Sequence, residues 1–457
     1  MIKPYQFFVA FALLFISLKG VSQPFQTGMD FNDQKYSQLP VTAPLTRGDF
    51  DNLPSSISLQ KYAPTPGNQG QTGTCVAWSS AYHARTIAES IRSNRTMKSE
   101  TDKNTFSPTF IYNQIRLENG CEKGTYLNQA LELMKNQGVA KYNDLQFDCN
   151  HTVNSADKQH AAPYKIKDYK TLFLQDGNNK ILPVKKSLAE KKPVLIGMLC
   201  PESFYYAKDV WQPKQEEYGK PFGGHAMVTI GYDDNKYGGA FLIMNSWGTQ
   251  WGNGGFIWIK YSDYNEFVKY AFEMIESLPN DKILAGAMNL SLQEGGSMKI
   301  SYNPSKGVYS SSVPYPSGTQ FRLYIANNEP AYVYALGSDS SKKSFDIFPH
   351  EKNISPFLGY KGNNVAIPSE KHWVRMDQNT GIDYFCVLYS SSSLDIDQIK
   401  KDLERAPGNS FVERLNYVLK DKLVRKNKIT YSTNNISFKG GFSGEGIIPI
   451  VVEIEHI

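Results

Sequence analysis

The sequence predicts an α+β fold, because helical and strand-like periodicities occupy separate stretches of its first part. Apolar residues recur three or four positions apart over about 75–93, 107–118 and 126–137, which predicts helices there. Short apolar runs at 193–198, 226–232, 240–244 and 256–259 predict strands. A cleft is then expected at the interface between the helical and the β part.

The segments outside these elements predict the domain organisation. Residues 1–22 have the form of a secretory signal, with Lys3, an apolar run too short to span a bilayer, and small residues at 20–22. Residues 23–50 are polar and turn-rich, which indicates an extended lead or short pro-segment before a domain at 51–278. We therefore expect an exported protein, periplasmic or extracellular, with no stable membrane insertion after signal removal. Residues 150–180 are predicted to be a polar loop, and 183–190 a helix.

The residue pattern of the sequence changes after about residue 278. Residues 284–457 predict a second, β-rich domain with strands such as 321–326, 384–389 and 446–454, and helices near 395–405 and 409–424. Binding of a carbohydrate or protein and a purely structural role are both open for this domain, and its ligand is unknown.

The composition indicates which partners to expect and how the cysteines can pair. The 457 residues include 49 basic and 44 acidic side chains, a net charge of +5, without a Lys/Arg cluster, so we expect no nucleic-acid partner. The apolar content of 40 % suits an ordinary globular core. The five cysteines are an odd number, so at least one thiol stays free or pairs outside the chain.

A glycine-rich stretch precedes Cys75, which lies in the first turn of the helix predicted at 75–93. A thiol at a helix N-terminus lies at the positive end of the helix dipole, which favours the nucleophilic thiolate. The alternative for a lone cysteine is a buried small apolar residue or half of a disulfide.

Two residues far from Cys75 in the sequence favour its role as a nucleophile. His225 begins one predicted strand and Asn245 ends the next, so a hairpin brings them to one sheet edge. An imidazole can take the thiol proton, and a side-chain amide can orient the ring. The backbone N–H of Cys75 and the amide of Gln69 are candidate oxyanion donors. Trp247 can cover the His–Asn hydrogen bond. This chemistry requires no metal and no cofactor.

Taken together, these motifs resemble the papain-like cysteine peptidases. Gln69, Cys75, His225 between glycine and alanine, and the run 245–248 with Trp251 stand in that family's order over about residues 50–277. The resemblance implies a two-lobed domain, one lobe helical and one barrel-like, that acts on protein or peptide substrates. It implies that Cys75 is the nucleophile, His225 the base and later the acid, Asn245 the orienter and Gln69 the oxyanion donor. Gly73 and Trp247 would then lie at the substrate cleft, and Gly124 would pair with substrate backbone.

The sequence also departs from the family pattern. Thr72 replaces the cysteine that usually pairs with the position of Cys121, so the resemblance implies a Cys121–Cys149 disulfide instead. Val76 replaces an aromatic residue after the nucleophile. The gap from Cys75 to His225 suggests an insertion, at 150–180 or at 200–222, the latter with Tyr205, Tyr206 and Trp211. The long helical pro-segment is missing; either the enzyme is made active, or residues 23–50 block the cleft themselves.

Three functional hypotheses follow from the sequence. The first is an exported cysteine peptidase that cleaves peptide bonds through an acyl-enzyme on Cys75. The second is a non-catalytic binding or assembly protein on the same scaffold. The third is acyl transfer or deamidation by the same triad, which the sequence does not separate from proteolysis.

Overall fold

A computed structural model describes residues 25–175, 179–276, 281–339 and 342–457. The predicted signal at 1–22 lies outside these residues. Within them, none of the helices has the length and apolar character needed to cross a bilayer.

The helical lobe is built around the helix that begins at Cys75. Its first turn is α-helical (Cys75–Ala77), its middle is π-helical (Trp78–Arg85), and it returns to α-helix over Thr86–Arg92. The π-helical middle was not predicted, and such segments frequently occur at functional sites. The helix is buried among the other helices of this lobe, which are Lys98–Lys103, Pro108–Ile115 and Leu127–Asn136.

The β lobe is an antiparallel sheet. In spatial order its strands are Asp168–Thr171, Val268–Ile275, Val194–Leu199, Gly224–Asp233, Ala240–Met244 and Phe256–Lys260, and Ser56–Ser58 also pairs with Gly224–Asp233. The strands predicted from apolar runs are all present, and the helical and β lobes share one apolar core. The α+β, two-lobed arrangement expected from the sequence is therefore the observed one.

Some elements differ from their predictions. The stretch 150–180, predicted to be loop, contains the helix Ser155–Ala161 and the edge strand Asp168–Thr171. That helix is set by a local signal, since Asn154 and Asp157 form a capping box at its start. The strand Val268–Ile275 was not predicted, although it lies inside the sheet. It follows directly on the helix Tyr261–Phe267, and it includes the buried charged residue Glu273.

Residues 281–457 form a sandwich of two sheets around a common apolar core. One sheet, in spatial order, contains Ser344–Phe348, Ala331–Ser338, Gly381–Ser390, Ile447–His456, Val308–Ser311 and Ile300–Asn303, with Phe357–Leu358 beside the second of these. The other contains Asn363–Ile367, Gln320–Asn327, Asp281–Leu292, Ser437–Ser443 and Ile429–Tyr431, with Val374–Arg375 beside the second.

Two predicted helices cover the outer face of the first sheet of this sandwich. They are Ile396–Arg405 and Phe411–Leu419, and both pack on a second apolar cluster with Leu336, Cys386 and Leu388. The second helix was predicted to reach residue 424. It ends at Leu419 because Lys420 adopts a positive φ of 30°, which a right-handed helix does not allow.

Candidate active site

His225 and Asn245 meet at the end of a hairpin. His225 lies in the strand Gly224–Asp233, and Asn245 directly follows its antiparallel neighbour Ala240–Met244. The His225 Nε2–H donates to Oδ1 of Asn245 at 2.7 Å, and both side chains are fully buried. The Trp247 ring stacks on the imidazole, with ring centres 4.5 Å apart, and shields this hydrogen bond from water.

Cys75 reaches the same place from the helical lobe. Its Sγ accepts a hydrogen bond at 3.5 Å from the backbone N–H of Ala226, the residue after His225. Nδ1 of His225 has no hydrogen-bond partner among the described residues. Because the proton on Nε2 is held by Asn245, Nδ1 carries the lone pair, and this is the nitrogen that can accept a proton.

Burial favours the neutral forms of the thiol and the imidazole. Burial raises the pKa of the Cys75 thiol to about 11, although hydrogen bonds from backbone N–H groups at Ala226 and Gly28 oppose the rise. Burial also lowers the pKa of His225 to about 4, although the hydrogen bond with Asn245 opposes the fall. The helix-start effect expected from the sequence is therefore outweighed, because desolvation disfavours both charged forms.

Gln69 presents its side-chain amide beside the Cys75 loop. Its Oε1 accepts a hydrogen bond from Ser246 Oγ at 2.6 Å, which fixes the orientation of the amide. Its Nε2 donates to the carbonyl oxygen of Thr72 at 2.6 Å and to that of Gln26 at 2.9 Å. A peptide carbonyl is therefore already bound by the amide that was predicted to hold an oxyanion.

The groove between the lobes is filled by the chain itself. Residues 25–31, here called the cleft segment, run through it and form isolated β-bridges from Met29 to Gly224 and to Thr125. The N–H of Met29 donates to the carbonyl of Gly224 at 3.1 Å. On the other wall, the Thr125 N–H donates to the carbonyl of Gly28 at 3.1 Å, and the Asp30 N–H donates to that of Thr125 at 3.0 Å.

The cleft segment fits closely at Gly28. A Cβ on this residue would lie 1.9 Å from the carbonyl oxygen of Gly73, so a side chain cannot be accommodated. Phe25, at the other end, stacks on Trp247 with ring centres 4.8 Å apart. Gly73 and Trp247 therefore both contact the cleft segment. Gly124 also faces Gly28, but the backbone hydrogen bonds assigned to Gly124 are made by its neighbour Thr125.

The wall that carries Thr125 is attached at two points. A disulfide joins Cys121 to Cys149, the pairing that the resemblance implied. The N–H of Gly73 donates to the carbonyl of Cys121 at 2.6 Å, which connects this wall to the Cys75 loop. Cys75, Cys200 and Cys386 are free and buried.

Sequence reasoning missed Gly197 and Thr125, and it noted Gly224 only as the glycine before His225. Met29 is only 3 % exposed. A Cβ on Gly197 would lie 2.2 Å from the terminal methyl carbon of Met29. The Met29 side chain thus fills a pocket whose floor is left open by Gly197. No periodicity or motif marks Gly197 or Thr125; only the presence of a glycine within a strand, which often signals a close approach, could have suggested Gly197.

The stretch 200–222, one of the two candidate insertions, contributes Tyr205 to the site. Tyr205 stacks on Trp247 with ring centres 5.1 Å apart, on a ring that also carries Phe25 and His225. Trp211 is buried against Phe267 instead, away from this stack. Tyr206 is exposed. Among the described residues, no group of three or more His, Cys, Asp or Glu is placed to hold a metal ion.

Fold and site together define a two-lobed α+β protein with a thiol, an imidazole and an amide gathered at the groove between its lobes. A family model described as papain family cysteine protease matches residues 54–274, the two-lobed part of the chain.

Similar proteins are distant. An uncharacterized peptidase C1-like protein of Acanthamoeba polyphaga mimivirus is 28 % identical over 210 residues, covering 42 % of this chain and 63 % of its own length. Cathepsin K of Mus musculus is 27 % identical over 209 residues, 45 % of this chain and 59 % of its own. The chain thus spans about three fifths of these relatives. Xylellain, a cysteine protease from Xylella fastidiosa, has a TM-score of 0.46 and 20 % identity, covering 56 % of this chain and 96 % of its own.

Proposed function

We propose that this protein is an exported cysteine peptidase that hydrolyses peptide bonds through an acyl-enzyme on Cys75. The observation that carries the proposal is the buried hydrogen bond between His225 and Asn245. The His225 Nε2–H is held by Asn245 at 2.7 Å, while its Nδ1 is left unpaired among the described residues, in a ring adjacent to the Cys75 sulfur contact. An imidazole prepared in this way accepts the proton of a thiol.

The chemistry follows from this arrangement. Nδ1 of His225 takes the thiol proton, and the Cys75 thiolate attacks the carbonyl carbon of a bound peptide. The negative charge on the carbonyl oxygen is stabilised by the Gln69 amide and the Cys75 backbone N–H. His225 then returns its proton to the departing amine, which leaves an acyl-enzyme. Water, deprotonated by the same imidazole, attacks this thioester and releases the acid.

The contact between Gln69 and Gln26 supports the role of the amide. Nε2 of Gln69 donates to the Gln26 carbonyl oxygen at 2.9 Å, so it is a competent donor to peptide oxygen at this position. Export is supported by the Cys121–Cys149 disulfide, because such bonds persist mainly in oxidising compartments.

Covalent labelling tests the proposal. The substitution Gly28→Ala first opens the groove, because the added methyl group clashes with the Gly73 carbonyl and displaces the cleft segment. We call this variant the opened chain. We expect an epoxysuccinyl inhibitor of papain-type enzymes to form an adduct on Cys75, and the opened chain to hydrolyse members of a mixed peptide library. Cys75→Ala should abolish both results without unfolding the chain, and His225→Ala should abolish hydrolysis. Cys386→Ala, in the core of the other domain, is the matched control and should retain both.

The alternatives predict other results. A binding or assembly protein would remain folded and show neither adduct nor hydrolysis after Gly28→Ala. An acyl transferase or deamidase would form the adduct but would convert peptides only when offered an amine acceptor or a side-chain amide.

A further inference from the structure

The cleft segment is the first part of a longer strap, residues 25–50, that is attached at three successive places. The first attachment is the groove itself, described above. There the backbone N–H of Gly28 faces the Cys75 sulfur.

The second attachment lies on the β lobe. The strap forms the short helix Asp33–Ser37, from which Tyr36 is buried and stacks on Tyr270 with ring centres 4.1 Å apart. The Tyr36 hydroxyl donates to the carbonyl of Phe173 at 2.9 Å, and Asp33 accepts a hydrogen bond from the Tyr270 hydroxyl at 2.6 Å. A helix of five residues is not stable alone, so it depends on the strap being held on both sides.

The third attachment is made to the C-terminal domain. Val41 forms parallel bridges both to Thr171, on the edge of the β lobe, and to Ile354, in the C-terminal domain. Its N–H donates to the carbonyl of Asn353 at 2.6 Å, and its carbonyl accepts from the N–H of Ser355 at 2.8 Å. The strap is thus a strand held between the two domains.

The next residues continue into the sandwich. Ala43 is 2 % exposed and belongs to the apolar core of the C-terminal domain. Leu45 bridges Val365, the Thr46 N–H donates to the carbonyl of Asn364 at 2.9 Å, and the Asn364 N–H donates to Asp49 at 3.1 Å. The residues that receive the strap, 353–365, form a surface that we call the anchor.

The anchor is itself fixed relative to the groove. Tyr360, from the C-terminal domain, is buried and donates its hydroxyl hydrogen to Glu273 in the sheet of the β lobe. Lys192 links the same carboxylate to the carbonyl of Gly359, at 3.2 and 3.1 Å. A pocket of about 200 Å³ lies beside residues 42–45, between the strap and Tyr360.

We propose that the C-terminal domain is the retaining surface for the strap, and that by binding residues 41–49 it keeps residues 25–31 in the groove and the thiol covered. The proposal rests on the proposed function only in that Cys75 is the group whose exposure matters. It assigns a role to the C-terminal domain and predicts that events at the anchor, far from the groove, control access to the site. Three linked attachments hold the cleft segment more tightly than the groove alone, because each keeps the others at high local concentration.

The test measures the alkylation rate of Cys75 by iodoacetamide in the full chain, with the labelled peptide identified by mass. This readout needs no turnover. Gly28→Ala should accelerate labelling at least about tenfold, whereas Gly48→Ala, in the same strap but facing open space, should change it less than about twofold. Ala43→Glu, which places a charge in the sandwich core, and Asp49→Ala, which removes the Asn364 contact, should each accelerate it about threefold to tenfold. Gln38→Glu, exposed on the strap, is their control.

Hydrogen exchange provides the second measurement. The amides of Met29 and Asp30, which donate into the walls of the groove, should exchange faster in both anchor variants. Should Ala43→Glu fail to fold, Asp49→Ala carries the test. Acceleration by Gly28→Ala without any effect of the anchor variants would overturn the proposal, as would labelling unaffected by every variant. If labelling accelerates as expected but the opened chain hydrolyses no peptide, the proposed function is refuted, whereas the role of the anchor is supported.

Discussion

Asn245 holds His225 by a buried hydrogen bond of 2.7 Å, and the ring of Trp247 closes over it. This bond selects the tautomer in which the other ring nitrogen can take a proton. Replacing Asn245 by alanine should therefore lower kcat in the opened Gly28→Ala chain, by at most the 10²–10⁴-fold (roughly) that a positioned base contributes. Asn235→Ala, on an exposed turn, is the matched control and should leave kcat unchanged. Equal rates in both variants would show that Asn245 does not orient the ring.

Gln69 should affect two measurements in opposite directions. Its amide binds the Gln26 carbonyl, so Gln69→Ala should loosen the cleft segment and speed Cys75 alkylation in the otherwise unaltered chain. The same substitution in the opened chain should lower kcat by about 10²–10³-fold, as the loss of one oxyanion donor does elsewhere. Faster labelling with an unchanged kcat would indicate that Gln69 only positions the strap.

Occlusion of the groove should depend on pH. With the cleft segment seated, the pKa of His225 is about 4, against an ordinary value of 6.5. Below pH 6.5 the open form can accept a proton that the closed form cannot, so acid favours opening by at most about tenfold per pH unit. The pKa of Cys75 is about 11 when covered, against an ordinary value of 9.0, so alkali between these values also favours opening. Closure should be strongest between about pH 6.5 and 9.

The measurement is the ratio of Cys75 labelling rates in the unaltered and Gly28→Ala chains across this range. Taking the ratio cancels the intrinsic pH dependence of the thiol. It should pass through a minimum between the two ordinary pKa values; a ratio that does not vary with pH would contradict the prediction.

The disulfide should contribute to stability and to the groove wall. Cys121 and Cys149 are 28 residues apart, and closing a loop of this length lowers the entropy of the unfolded chain by an amount worth about 3–4 kcal/mol. The double variant Cys121→Ser/Cys149→Ser should therefore lose a free energy of unfolding of about that size in urea titrations. A reductant should destabilise the unaltered chain to the same extent and leave the double variant unaffected. If the reductant destabilises both equally, the stabilisation does not come from this bond.

The pocket that holds Met29 should select substrates. In the opened chain, this pocket becomes available to a substrate side chain, and its size is set by Gly197. We expect kcat/KM to be highest for peptides with a long apolar side chain there, and Gly197→Ala should reduce that preference several-fold relative to peptides with alanine at the same position. The control is Gly441→Ala, where a Cβ meets open space in the C-terminal domain. An unchanged preference would place the specificity pocket elsewhere.

Local sequence was sufficient to predict much of the two-lobed domain. The helix at Cys75 and the hairpin between His225 and Asn245 follow from periodicity and from turn residues close in the chain. Residue chemistry at three short motifs was likewise enough to group Gln69, Cys75, His225 and Asn245. The helix Ser155–Ala161 was missed despite a local capping signal, because the apolar pattern that usually accompanies one is weak there.

By itself, the sequence determined which side chains could act together and which elements carry them, since those properties depend on neighbours within a few residues. Tertiary structure alone decided what covers them. The contacts that cover them join distant parts of the chain and produce no periodic pattern in the sequence. They pair Met29 with Gly224, Gln26 with Gln69, and Val41 with both Thr171 and Ile354. The protonation state of Cys75 also depends on these contacts, because the strap removes water from the thiol and desolvation then outweighs the favourable position at a helix start.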